Sequence, residues 1–392
     1  MIKNERAKML VSFLKVGGLW FSFPESRYGR LVTAVQVLRL LQNIFGWYLC
    51  VCPLFRDGAS FLFTSTAVFI PIMFTCMQCS AYFFAYRKEV EAVIKDSDSH
   101  LCSHTEDWAK RIVDEDTKLL KWVCNFLNYA MSSFIISYNV GPPIFDLIRF
   151  FLGHQDPYIL PLPLSAYFDK DQGRNLKHYS IIFFCLVWFL SVAPATIGFI
   201  ILILYRVSVL TSSMKIIKRR LRDLYDPEDK DVDIIRVPWN LSTTIKIHQQ
   251  VIRLNDKMNE ALSSDIILWK LIFNLSLCFL MLLMNQALGK DILLVILSAT
   301  FSLMLSTVLV GVCFASNYLQ TMSDDIFNEI YSLPWYRKSP EVRKVICMML
   351  MESNRTLTID YKSTFYVNLE SFVQVFNTSY SYYTLMNTVK EK

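Results

Sequence analysis

The chain has 392 residues, of which 53% are apolar and only 19% charged, and its mean hydropathy is +0.33. Soluble domains carry about a quarter of their residues as charges, so the composition suits a bilayer better than a single water-bounded core. The net charge of +6 is scattered through connecting segments without interleaved aromatics, which excludes a nucleic-acid partner.

The chain opens on Met1-Ile2-Lys3-Asn4-Glu5-Arg6-Ala7-Lys8, and its short apolar stretch breaks at Gly17-Gly18 without a cleavage site of small residues. The first span is therefore expected to serve as its own insertion signal. Clear apolar spans cover 31–54, 61–86, 179–205, 266–289 and 291–318, and weaker ones cover 120–140 and 363–389. The prediction is an all-α membrane protein with seven transmembrane helices, kinked at Pro71 and Pro194. Helices one to four fall in 1–205, five and six in 266–318, and the seventh in 361–392, with cytosolic segments at 206–265 and 319–360.

Orientation follows from the basic residues. The N-terminal segment and every second connection after it hold 29 Lys and Arg, against eight in the alternate set, so the N-terminus is expected in the cytosol and the C-terminus outside. That is opposite to a G-protein-coupled receptor. The absence of Asp-Arg-Tyr after the third span and of Asn-Pro-x-x-Tyr in the last agrees, so no G protein is expected as a partner. The outer segment 141–178, with Gly141-Pro142-Pro143 and Pro157, Pro161 and Pro163, looks too proline-rich for continuous helix. It is apolar enough to fold against the bundle as a lid. Segment 206–265 is helical at both ends around Asp226-Pro227-Glu228-Asp229, so the fourth and fifth helices are expected to continue below the membrane.

Most of the ten cysteines lie in apolar runs or in segments placed in the cytosol, and they form no disulfide framework. Cys50 and Cys52 read as two buried thiols. No metalloprotease, nucleophile-elbow, phosphate-loop or paired-cysteine zinc motif is present, so neither an enzyme nor a cofactor or metal is expected. His100-Leu101-Cys102-Ser103-His104 comes nearest to a metal motif and reads more simply as a solvated connector.

Two constellations remain. In the last span Glu370, Gln374, Asn377, Ser381, Thr384 and Thr388 recur at spacings of 4, 3, 4, 3 and 4, which puts them on one helix stripe. Hydrocarbon would not tolerate that stripe, so it faces other protein, as in a helix buried in the bundle, or water, as in a pore lining. The second set is aromatic with a few hydroxyls: Phe63, Thr66 and Phe69, then Tyr129, Ser133, Ser137 and Tyr138, then Phe184 and Trp188. Facing helix ends of this kind can form an apolar, sparsely polar small-molecule pocket, and taken singly each residue also fits ordinary aromatic packing.

The last quarter carries specific motifs: Ile330-Tyr331-Ser332-Leu333-Pro334-Trp335-Tyr336, Arg343-Lys344, Met348-Met349-Leu350-Met351 and Ser379-Tyr380-Ser381-Tyr382-Tyr383-Thr384-Leu385. Together they resemble the C-terminal signature of insect odorant receptors, and His248-Gln249 is similar to the same family. Related gustatory receptors end in Thr-Tyr, an apolar run and Gln-Phe, where this chain has Met386 and Asn387. The shared co-receptor has a longer second cytosolic loop, so the resemblance is to an odorant-specific subunit.

The resemblance implies a non-selective cation channel opened by a small volatile hydrophobic ligand, in the plasma membrane of sensory neurons. It further implies a heterotetramer with the co-receptor, each subunit giving its last helix to a central pore and its cytosolic helices to an anchor. Tyr383 and Asn387 match the family's outer gate, beside the stripe at Gln374, Asn377, Ser381 and Thr384. A gustatory-type channel acting alone, or a membrane transporter, is the alternative.

Overall fold

A computed structural model describes residues 4–16, 19, 27–58, 67–153, 176–223, 237–337, 339–361 and 365–390. Its elements are α1 (Glu5–Val16), α2 (Arg27–Asp57), α3 (Phe69–Ala85), α4 (Arg87–Cys102), α5 (Asp107–Phe151), α6 (Leu176–Asp223), α7 (Val237–Ala287) and α8 (Ile292–Ser332), followed by α9 (Pro340–Ser353) and α10 (Leu369–Lys390). A two-residue antiparallel ribbon, β1 (Asp360–Tyr361) with β2 (Phe365–Tyr366), leads into α10. The seven spans expected from the sequence fall on α2, α3, α5, α6, α7, α8 and α10. Apolar windows long enough to span lie in α2, α5, α6, α7 and α8, and α3 qualifies only together with α4, from which it bends by 71°.

α6, α7 and α8 run unbroken from the membrane into the cytosol, because charged and apolar residues alternate at helical spacing below the hydrocarbon. Ala195, Phe199, Leu202 and Tyr205 pack the upper part of α6, and Val209, Ile216 and Leu221 continue the same core beyond it. α2 meets α6 at Gly46, where any Cβ would overlap the Trp188 ring, so only glycine permits the approach.

Two features differ from the sequence expectations, and a third was not anticipated. α5 does not end at Gly141 but continues through Pro142 and Pro143 to Phe151. Ile144, Leu147 and Ile148 stay exposed there, and the unbroken helix satisfies the backbone donors other than those the two prolines lack. Residues 154–175 of the expected lid lie outside the described residues. The His100 segment is not a solvated connector: α4 is buried against α6, where His100 Nε2 lies 3.0 Å from Ser213 Oγ. His104 is buried at 4% exposure, and among the described residues no group of ligands could hold a metal ion. Finally, α1 is part of the bundle. Its Arg6 is wholly buried, donating from Nε to Thr117 Oγ1 (3.1 Å), from Nη1 to Ser208 O (2.7 Å) and from Nη2 to Val113 O (2.8 Å).

The cytosolic base is held by ion pairs. Lys215 meets Asp116 and Lys218 meets Asp325, each at 2.6 Å, while Arg220 meets Glu106 at 3.0 Å. Arg206 sits just above these pairs. Its Nη2 donates to Asn255 Oδ1 (2.9 Å), Asn259 Oδ1 (2.6 Å) and Thr358 O (3.3 Å), tying α6 and α7 to the segment that leads into α10.

Candidate ligand cavity and pore helix

A cavity of about 110 Å³ lies among α3, α5, α6, α7 and α8. Its wall is nearly all hydrocarbon and aromatic ring. Phe69, Phe134, Tyr138 and Phe301 surround one end, with the Phe134 and Phe301 ring centroids 4.9 Å apart, and Trp269, Phe273 and Ile200 close the other. Five helices each turn apolar side chains inward, and the bulky rings do not fill the gap between them.

The few polar groups have a shared geometry. Thr75 Oγ1 donates to Pro71 O (3.0 Å) and Ser276 Oγ to Ile272 O (2.9 Å), while Thr196 Oγ1 points its proton at Cys76 Sγ (3.6 Å). These hydroxyls have spent their donors on their own helices or a neighbouring thiol. What these three still offer is oxygen lone pairs, so they can act as acceptors, beside the Tyr138 phenol and the Trp269 indole on the same wall.

Of the residues singled out from the sequence, Phe69 and Tyr138 line the cavity. Tyr129, Ser133 and Ser137 are exposed on another face of α5, and Phe184 is 44% exposed on α6. Trp188 is buried beside the cavity, in a cluster with Phe69, Met73 and Tyr138, but wedged against Gly46. Phe63 and Thr66 lie outside the described residues. Trp269, Phe273, Ser276 and Phe301 were missed because α7 and α8 are apolar on nearly all sides, so no periodicity separates a cavity face from a packing face.

The stripe of α10 is outward-facing. Glu370, Gln374, Asn377, Ser381, Thr384 and Thr388 are all exposed, and the hydroxyls turn back on their own helix: Ser381 Oγ donates to Asn377 O (2.8 Å), Thr384 to Ser381 O (2.9 Å) and Thr388 to Thr384 O (2.7 Å). The opposite face holds Ser371, Val375 and Ser379, buried against the bundle, and Ser379 Oγ donates to Asn274 O of α7 at 3.0 Å. Tyr383 and Asn387 are half-buried between the two faces, and Tyr383 packs with Met386 on a cluster containing Leu282 and Phe301.

α7 therefore touches both sites. Trp269, Phe273 and Ser276 face the cavity, while Asn274 and Cys278 face α10, the latter with its sulfur 3.8 Å from that of Met386.

The family model described as "7tm Odorant receptor" matches residues 60–380. Odorant receptor 63a of Drosophila melanogaster is 23% identical over 283 residues, covering 70% of this chain and 63% of that relative. Odorant receptor 10 of Aedes albopictus is 23% identical over 235 residues, covering 58% of this chain and 60% of its own length. The matched region thus spans somewhat under two thirds of each relative. Among solved structures, the insect olfactory receptor OR5 from Machilis hrabei, in complex with eugenol, superposes with a TM-score of 0.75 at 13% identity over 98% of this chain and 97% of that one. With its all-helical membrane architecture and the match across residues 60–380, the chain belongs to the insect odorant receptor family, on the side of the odorant receptors rather than their co-receptor, and it is not an enzyme.

Proposed function

We propose that this chain is a subunit of an odorant-gated, non-selective cation channel of the sensory-neuron plasma membrane, assembled with the odorant co-receptor. The observation that carries the reading is the shared helix: α7 forms one wall of the apolar cavity and is bonded to the pore-lining candidate α10 through Asn274 and Ser379. A ligand that pushes on Trp269 or Phe273 displaces the same helix that holds α10.

Size supports a change of shape on binding. An engineered cavity of about 150 Å³ accepts benzene, so a cavity of about 110 Å³ must widen to admit a volatile molecule of about ten heavy atoms. Such a ligand supplies on the order of 5–8 kcal/mol, and driving a two-state equilibrium from 1:99 to 99:1 takes about 5.5 kcal/mol of differential affinity. Closed and open arrangements must then be nearly balanced, which suits a cavity walled by non-directional apolar contacts.

The chemistry of the wall favours a small apolar molecule with one hydroxyl, which can donate to the lone pairs of Thr75, Thr196 or Ser276. The relative solved with eugenol, a molecule of that kind, lends support. In the pore, the exposed Gln374, Asn377, Ser381 and Thr384 would meet ions with amide and hydroxyl dipoles rather than full charges, consistent with weak selectivity. The half-buried Tyr383 and Asn387 stand one helix position, about 100°, from that stripe, so a rotation of α10 exchanges the two faces as the gate opens.

The test is co-expression with the co-receptor and a screen of matched volatile alcohols and their ethers, read as whole-cell current. Current evoked by the alcohols at concentrations about fivefold below those of the ethers supports the reading, since one net hydrogen bond contributes about 1 kcal/mol. No ligand-evoked current from any compound contradicts it.

A further inference from the structure

α1 lies beside the membrane part of α6. Arg6 bonds α6 at Ser208 and Ser212, while Leu14 abuts Gly198, so the helix climbs about 15 Å from the cytosolic end towards mid-membrane. Between α1 and α5 runs an open groove of about 710 Å³. One edge carries Glu5, Lys8 and Ser12 of α1, and the other carries Lys121, Asn125, Asn128 and Ser132 of α5, at spacings of 4, 3 and 4. The deep end is apolar, closed by Ile135, Pro194 and Ile197. Among the described residues, the side chains of Lys8, Lys121, Asn125, Asn128 and Ser132 hydrogen-bond no other residue.

Amides and a hydroxyl without protein partners at membrane depth call for a ligand of mixed character. From Lys121 to Ser132 the row rises about 16 Å, roughly the depth of one leaflet's headgroup and upper chain region. The charge at the mouth is two lysines against one carboxylate, Glu5, so it favours an anion. We propose that this groove binds one anionic glycerophospholipid of the cytosolic leaflet. Its phosphate lies between Lys8 and Lys121, its ester carbonyls accept from Asn125 and Asn128, and an acyl chain lies along Ile135 and Ile197. Glu5 on the rim accepts from a donor on the headgroup, which favours phosphatidylserine.

The experiment is native mass spectrometry of the purified full chain, incubated in turn with phosphatidylserine, phosphatidylcholine and inorganic phosphate. The wild type should retain one phosphatidylserine with about tenfold preference over phosphatidylcholine, the attraction of an anionic headgroup to two lysines. Lys8→Gln with Lys121→Gln should bring retention down to the phosphatidylcholine level. Both lysines are exposed, so this variant keeps its fold, which its melting temperature in phosphatidylcholine verifies. Asn125→Leu with Asn128→Leu should weaken both lipids alike. Equal retention of the two lipids by the wild type overturns the proposal. So does an unchanged preference in the lysine variant, or displacement of the lipid by millimolar inorganic phosphate, which would mark a free-anion site.

Discussion

The two ends of α6 are held by different forces. Around Thr196 and Ile200 the helix faces a cavity of hydrocarbon and rings, with hydroxyls turned to their own helices or a neighbouring thiol; around Ser208 to Arg222 it is latched by a buried arginine and a series of ion pairs. Apolar contact is non-directional and tolerates sliding, whereas a buried guanidinium with several fixed acceptors does not. The upper bundle is therefore the part that can change shape around a ligand, and the base is the part against which it moves.

The largest effect should come from breaking the base. Arg6→Ala removes a buried side chain that bonds both α5 and α6 and leaves Asp116 nearby with less compensation, which should cost about 3–5 kcal/mol. Thermal unfolding of the purified chain, or loss of surface delivery, reads it. An unshifted melting temperature would erase the contrast between the two regions.

Next comes the cavity. Phe301→Ala should lower ligand potency by tenfold or more, while single-channel conductance stays fixed, as a concentration–response series shows. Gln374→Leu on the exposed stripe should do the reverse, changing cation permeability ratios with potency unaltered.

Acidification probes the base more gently. Burial, with His100 and Arg220 close by, pulls the His104 pKa down to about 4, and Glu106 is paired with that same Arg220. The unfolded chain then takes up this proton first, so the stability contribution is full above about pH 6.5 and is lost as pH falls towards 4. His104→Leu should flatten that acid limb in a melting series. The smallest effect belongs to Lys257→Ala at the exposed pair with Asp96, expected below about 1 kcal/mol.

Much of the fold was legible because its signals are local. Apolar length marked the spans, the bias of Lys and Arg gave an orientation, and the spacing from Glu370 to Thr388 marked a stripe that the structure leaves exposed. The cavity was only half legible: Phe69 and Tyr138 belong to it, but α7 and α8 are apolar all round and give no period to read. α1 was overlooked because a polar opening of Lys3 to Lys8 suggests solvent. The burial of Arg6 depends on acceptors 107 to 206 residues away, which no local pattern shows.

In the proposed channel the cavity governs the gate through α7 while α10 governs the ions. Whole-cell current from co-receptor co-expression, measured for Tyr138→Ala and Phe273→Ala across a ligand panel, tests it directly. Half-maximal concentrations should rise about tenfold or more for every effective ligand while the reversal potential stays where the wild type has it. Unchanged concentration–response curves for all ligands would contradict it.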